Sequence, residues 1–155
     1  MHFTLQSWLR ISLFNLLVIA MLGFLLRYKI AYSLPFIDQK HLLQGHSHFA
    51  FAGWVSQTLL VLIVAFLSQR GLENAFKKYH ALLLLNLFAA YGMLIFFPIQ
   101  GYGLFSITFS TLSVFIAYLF TLHFWKDVKR LNLSEISVKW IKVGLVFNGI
   151  SSIGA

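Results

Sequence analysis

Cysteine is absent from this chain of 155 residues, and acidic side chains are scarce, with only four Asp and Glu. Without cysteine the chain forms no disulfide, holds no metal through a thiolate and attaches no c-type haem covalently. Because no carboxylate falls within the long apolar runs, the sequence offers no paired acids for general acid–base catalysis. Phosphate-binding loops, Ser/His/Asp arrangements and the zinc-protease motif are missing as well.

Charge in general is sparse: charged residues make up 10% of the chain, whereas 59% is hydrophobic and the mean hydropathy is +0.81. A soluble domain carries roughly a quarter charged residues, so the composition excludes an ordinary soluble domain. The seventeen Phe and many Leu lie in long runs, as a bilayer requires of its proteins. We therefore predict an all-α fold, a polytopic transmembrane helix bundle that contacts the lipid bilayer.

Five apolar segments are long enough to count as spans or as the start of one. They cover residues 9–26, a second stretch from 41 or 46 to 67, then 80–99, 104–125, and 143 to the end at 155. About 20 apolar residues cross the hydrocarbon as a helix, so we expect four full spans plus the start of a fifth. The turn at residues 98–103 makes spans three and four antiparallel neighbours. Residues 1–155 thus form a single transmembrane domain. The last segment is either re-entrant or continues into a longer protein, and we favour the longer protein.

The net charge of +8 reflects basic residues placed between the apolar runs instead of in one patch. This placement argues against nucleic acid as a partner and for contact with lipid headgroups. If every span crosses, nine basic residues lie on the side of the N-terminus and three on the other. The nine are Arg10, Arg70, Lys77, Lys78, Lys126, Lys129, Arg130, Lys139 and Lys142, and the three are Arg27, Lys29 and Lys40. The positive-inside rule then predicts a multi-pass protein of the inner, cytoplasmic membrane with a cytoplasmic N-terminus.

Residues 44–54 place His46 and His48 at the start of the second apolar segment, near the outer surface in this orientation. On a regular helix of about 100° per residue, the two rings point about 200° apart and cannot reach one metal. One stripe of that helix holds His41, Gly45, His48, Ala52 and Ser56, and the opposite side holds His46, Gly53 and Gln57. Two arrangements remain open. In one, a single histidine is the ligand; in the other, the helix begins at Ser47 and His46 belongs to a cap.

The stripe that carries His48 is otherwise made of small residues, which allow another helix or a flat ring to approach closely. Ionisable groups that enter a membrane usually mark a site or a pathway, and histidine is a common ligand of metals and haem iron. Gln57 lies more than two turns inside the segment and therefore needs a buried partner. Asn86, on the third span, is expected to join two helices through a hydrogen bond.

The string at residues 46–54, HSHFAFAGW, resembles the His-x-His-(x)4-Gly pattern of the haem-copper oxidase subunit I-like superfamily in its broad sense. It is most similar to short divergent members and to NnrS-like haem- and copper-binding membrane proteins. The resemblance implies that this chain is the N-terminal portion of a protein with about twelve spans. It also implies a b-type haem ligated by His48 or His46, with His48 preferred because Gly45, Ala52 and Ser56 share its stripe. The second axial ligand, and any copper ligands, would lie beyond residue 155.

From this resemblance we expect a haem-binding integral membrane protein, related to oxidase subunit I. Its role would be electron transfer or the handling of oxygen or nitric oxide, with a redox partner protein. Membership of an oxidase-like oxidoreductase is left open, because the resemblance supports haem binding more than catalysis. Two alternatives also stay open: a non-haem transporter or channel subunit with His46, His48 and Gln57 along a polar path, and a structural or assembly subunit.

Overall fold

The computed structural model describes residues 4–151, and within that range it contains α-helices and one π-helical turn but no strand. The elements are α1 (Leu5–Ala31), α2 (Gln39–Phe49), the π-turn (Ala50–Ser56), α3 (Gln57–Gln69), α4 (Ala75–Gln100), α5 (Leu104–Arg130) and α6 (Ile136–Ser151). The elements α2, π-turn and α3 join into one continuous helix, Gln39–Gln69. The expectation for the last segment falls partly on residues 152–155, which lie outside the described residues.

Four helices are long and apolar enough to cross a membrane: α1, the continuous helix Gln39–Gln69, α4 and α5. Their most apolar stretches have mean hydropathies between 1.8 and 2.2. The helix α6 has 16 residues and contains the first part of the predicted fifth segment. The predicted all-α bundle with four full spans and the start of a fifth is therefore confirmed.

Each span extends beyond its predicted apolar run, because helices continue into the polar boundary where capping groups end them. The second span begins at Gln39, since Asp38 caps it by accepting the backbone N–H of His41 at 2.8 Å. That hydrogen bond lowers the pKa of the Asp38 carboxyl, which keeps the cap charged. His46 therefore lies inside α2, and the interpretation that placed it in a cap is wrong.

The turn between the third and fourth spans is shorter than predicted, because α4 continues through Pro98 to Gln100. Pro98 lacks the backbone N–H that would continue the helix and crowds the carbonyl four residues back, and α4 ends two residues after it. The chain reverses at Gly101, whose φ of 59° is left-handed and suits a residue without a side chain. The helices α4 and α5 then pack antiparallel through stacked rings such as Phe96 and Phe105, whose centroids lie 5.0 Å apart.

The interior divides into two packed regions along the bundle. The basic-end core lies near the ends rich in Lys and Arg and is built of large buried side chains. It includes Trp8, Leu60, Val61, Val64, Leu67, Tyr79, Leu83, Phe120, Phe124 and Val128. The histidine-end core is smaller and consists of Ile19, Phe49, Ala52, Ala90, Met93 and Phe97.

A buried ion pair links α4 and α5 beside the basic-end core, and the sequence did not predict it. Asp127 is 2% exposed, forms a salt bridge with Lys78 and accepts the hydroxyl of Tyr79 at 2.8 Å. The prediction ended the fourth span at residue 125 and left Asp127 in a loop among basic neighbours. That boundary is wrong, because α5 runs on to Arg130 and turns the carboxylate toward α4.

Candidate functional site

The backbone of the second span changes from α to π geometry over Ala50–Ser56, directly after the two histidines. A π-turn bonds each N–H to the carbonyl five residues back, so it turns less per residue than an α-helix does. Such turns occur frequently at functional sites. Three successive carbonyls of this turn, those of Ala52, Gly53 and Trp54, accept hydrogen bonds from side chains.

One side of the π-turn is held by α1. Asn15 is fully buried there and donates through Nδ2 to the carbonyl oxygen of Gly53. Its Oδ1 accepts the hydroxyl of Tyr91, from α4, at 2.8 Å. One amide thus connects α1, the second span and α4 within the apolar part of the bundle.

The other side of the π-turn is held by α4. Asn86, 2% exposed, donates through Nδ2 to the Ala52 carbonyl at 3.1 Å and to Oε1 of Gln57 at 2.8 Å. The predictions that Gln57 needs a buried partner and that Asn86 joins two helices are confirmed. A regular helix of about 100° per residue predicted Gln57 on the side opposite His48. That prediction is wrong, because the π-turn rotates Gln57 toward Asn86 of α4.

His48 lies against the end of α4. Its ring stacks on Phe97 with centroids 4.2 Å apart and planes 10° from parallel. Its Nε2 lies 3.2 Å from the hydroxyl oxygen of Tyr102, in the turn that follows Gly101. The sequence did not predict the contacts with Phe97 and Tyr102. They follow His48 by about 50 positions, and they meet it only because α4 packs antiparallel to the second span.

His46 and Gly45 face different neighbours from His48. A methyl group on Gly23 of α1 would lie 3.5 Å from Cε1 of His46, so this histidine packs toward α1. Its Nδ1 is buried and has no hydrogen-bond partner among residues 4–151. A methyl group on Gly45 would lie 2.9 Å from the ring of Pro98, so Gly45 serves the contact between α2 and α4. The prediction that His46 and His48 diverge is confirmed.

A cavity of about 170 Å³ lies between the second span, α4, α5 and α6. Three residues of the predicted stripe line it, namely His48, Ala52 and Ser56, whereas Gly45 does not. Its polar lining consists of His48, Ser56, Asn86, Ser110, Ser113 and Asn148. The apolar remainder includes Phe51, which is 68% exposed and marks an open side, and Met93.

The cavity therefore combines one imidazole with neutral hydrogen-bonding groups and small side chains. Within residues 4–151, no group of three or more His, Cys, Asp or Glu side chains is close enough to share a metal ion. A single imidazole beside small residues is instead the kind of ligand that a haem iron takes from one helix.

The fold and this cavity define a polytopic helical membrane protein with a polar, histidine-bearing cavity between its spans. No protein-family model, no curated protein and no solved structure matches the chain.

Proposed function

We propose that this chain is a haem-binding membrane protein related to the haem-copper oxidase subunit I-like superfamily, acting in electron transfer or in handling oxygen or nitric oxide. The observation that carries the proposal is that His48 lines a cavity together with Ala52 and Ser56. An imidazole at the edge of a small-residue face meets the two needs of a porphyrin, an axial ligand and space beside it.

The residues around His48 fit the role of orienting an axial ligand. Stacking on Phe97 fixes the plane of the imidazole, and Tyr102 offers its hydroxyl to Nε2. Partners of this kind normally set the orientation and basicity of a ligating histidine. Ligation through Nε2 would replace the bond to Tyr102, which is 62% exposed and lies in a turn. When bound, haem supplies one-electron redox chemistry and affinity for diatomic gases.

The apolar groups near His48 would tune such a site. Phe49 and Phe97 are fully buried, and Met93 is 2% exposed beside the same cavity. Low polarity around a haem disfavours the more highly charged iron state and so shifts its potential. The role of these side chains in the proposal is to surround the imidazole of His48 with apolar contacts on the side of α4.

The test is an optical difference spectrum, dithionite-reduced minus oxidised, of the purified full-length protein expressed with ample haem. We expect a Soret change with sharp α and β bands, lost in His48→Ala and retained in His46→Ala. The second variant is a matched control, because it removes a neighbouring histidine that packs toward α1. Absence of haem absorbance in the wild type would overturn the proposal. Loss of the haem bands in His46→Ala, but not in His48→Ala, would identify His46 as the axial ligand instead.

The basic residues support an inner-membrane location with the N-terminus in the cytoplasm, which we include in the proposal. Because the chain lacks cysteine, single introduced cysteines report the side of each loop. Ser33 and Ser134 are exposed and lie in the loops after α1 and after α5, at opposite ends of the bundle. We expect an impermeant thiol reagent to label Ser33→Cys in intact cells and to leave Ser134→Cys unlabelled. The reverse result would invert the orientation.

A transporter or channel subunit is the second candidate, because the second span changes to π geometry beside a polar cavity. Turns of this kind occur frequently at functional sites. The difference spectrum separates the two candidates, since a transporter of this kind gives no haem bands.

A further inference from the structure

We propose that the cavity beside Asn86 is a water-filled vestibule, which enters the membrane from the histidine end and ends near its middle. Its ligands would be water and small neutral polar solutes. The inference rests on the lining of the cavity and concerns the protein without bound haem, so it does not depend on the proposed function.

The lining requires a polar occupant. Asn86 is 2% exposed in the middle of α4, and Ser110 and Ser113 present hydroxyl groups from α5. Polar groups in an apolar medium lose free energy unless they are hydrogen-bonded. Among residues 4–151, no carboxylate, ammonium or guanidinium group lines the cavity, and its hydrogen-bonding side chains match a neutral ligand.

The volume of the cavity and the side-chain amide of Gln57 also support occupation by water. A volume of about 170 Å³ holds several water molecules, since about 10–15 Å³ of such space admits one. Asn86 bonds to Gln57, which is fully buried and whose Nε2 has no partner among the described side chains and backbone. The wall of the cavity therefore belongs to an amide network with donor capacity left over.

The two ends of the cavity differ. Toward the basic end its lining ends at Leu60, where a second cavity of about 280 Å³ begins between α3 and α6, lined mainly by Leu and Ile side chains. Toward the other end it reaches His48 and, through it, the exposed Tyr102. Water thus has an entrance at the histidine end, and beyond Leu60 the apolar lining offers it few hydrogen-bonding partners.

The natural absence of cysteine permits a direct test with single-cysteine variants of the full chain in membrane vesicles. The probe is a small, negatively charged methanethiosulfonate reagent, which reacts only with a hydrated thiol that can ionise. Ser113→Cys places the thiol in the cavity. Thr111→Cys, two residues away on α5 and exposed on the outer surface of the bundle, is the matched control.

We expect Ser113→Cys to react at least about tenfold faster than Thr111→Cys, because a thiol in lipid stays protonated. The reaction should occur from the side that labels Ser33→Cys and not from the side that labels Ser134→Cys. Ser110→Cys is a second cavity position, should Ser113→Cys fail to reach the membrane.

Three results would overturn the vestibule: equal rates for Ser113→Cys and Thr111→Cys, labelling from the Ser134 side, or labelling only by an uncharged, membrane-permeant maleimide. Labelling is measured on protein without bound haem, and the difference spectrum on protein expressed with ample haem. Labelling without haem bands would contradict the proposed function alone, whereas haem bands without labelling of the haem-free protein would contradict the vestibule alone.

Discussion

The basic end and the histidine end of this bundle are stabilised in different ways. At the basic end, aromatic and aliphatic side chains such as Trp8, Phe120 and Phe124 are fully buried beside the ion pair of Asp127 and Lys78. At the histidine end the core is smaller, the backbone forms a π-turn, and amide side chains bind its carbonyls. The cavity lined by His48 lies where the packing is of the second kind, whereas a second, mainly apolar cavity of about 280 Å³ lies between α3 and α6 beside the basic-end core.

The difference indicates that the basic end contributes more to the stability of the bundle and that the histidine end shapes the cavity lined by His48. Close packing of large side chains contributes most of the stability of a folded domain. Ligand-binding regions are instead drawn from the less stable parts of a structure. We therefore expect substitutions at the basic end to lower global stability, and substitutions at the histidine end to act more on the cavity.

The largest expected effect is that of Lys78→Met, which leaves the buried carboxylate of Asp127 without its cation. Loss of one partner of a buried pair costs about 3 kcal/mol, the lower part of the usual range because Lys78 is 37% exposed. Unfolding by SDS in mixed micelles measures the change. Lys77→Met removes a neighbouring exposed charge and should leave the free energy of unfolding nearly unchanged. Equal losses in both variants would contradict the role of the pair.

The next effect is steric and concerns the contact between α4 and α5. In Gly92→Ala the new methyl carbon would lie 2.3 Å from the Phe109 ring, so the ring must rotate or the helices must separate. Overpacking of this kind costs about 2 kcal/mol. The matched control is Gly144→Ala on α6, where a methyl group meets nothing within 4 Å. There we expect a gain of about 0.5 kcal/mol from helix propensity. Similar values from the same unfolding assay would refute the close approach at Gly92.

A smaller loss is expected for Asn86→Leu, which frees the Ala52 carbonyl and one end of Gln57. Hydrogen bonds between membrane helices contribute about 1 kcal/mol each, so we expect a loss of about 1–2 kcal/mol. A double-mutant cycle with Gln57→Leu isolates the bond between the two amides. Strict additivity of the two substitutions would show that the amides do not interact.

The smallest effect is that of Tyr91→Phe, which removes one hydroxyl from Oδ1 of Asn15 and keeps the ring. We expect a loss of about 0.6 kcal/mol, the average for such bonds in membranes. Asn15→Leu should cost more, because it also releases the Gly53 carbonyl of the π-turn. If Tyr91→Phe proved the more harmful of the two, the bonds of Asn15 would not be the main contribution, since this variant keeps both the ring contact with Phe49 and the bond to the Gly53 carbonyl.

The spans were predictable because length and hydropathy alone decide which segments cross a bilayer. The divergence of His46 and His48 was also predictable, since α2 is regular at both positions. The π-turn was not, because it is a choice among backbone hydrogen bonds that leaves the hydropathy of Ala50–Ser56 unchanged.

Tertiary contacts account for the buried residues that the sequence did not predict. Trp8 precedes the first predicted apolar run, residues 9–26, yet it is fully buried and its ring lies 5.8 Å from that of His80. Asp127 stood among basic residues that suggested a solvated loop, and its burial depends on Lys78 and Tyr79 some 50 positions earlier. A single sequence does not record which distant side chains meet.

The π-turn has a consequence for how this chain tolerates evolutionary change. A wide turn absorbs the equivalent of one inserted residue, so the two halves of the second span are out of phase with each other. The half that carries His48 is fitted to the ends of α1 and α4, and the half that carries Leu60 is fitted to the basic-end core. A one-residue deletion within Ala50–Ser56 that restored regular α geometry would turn one half by about 100° relative to the other, so the two halves could no longer keep both sets of contacts.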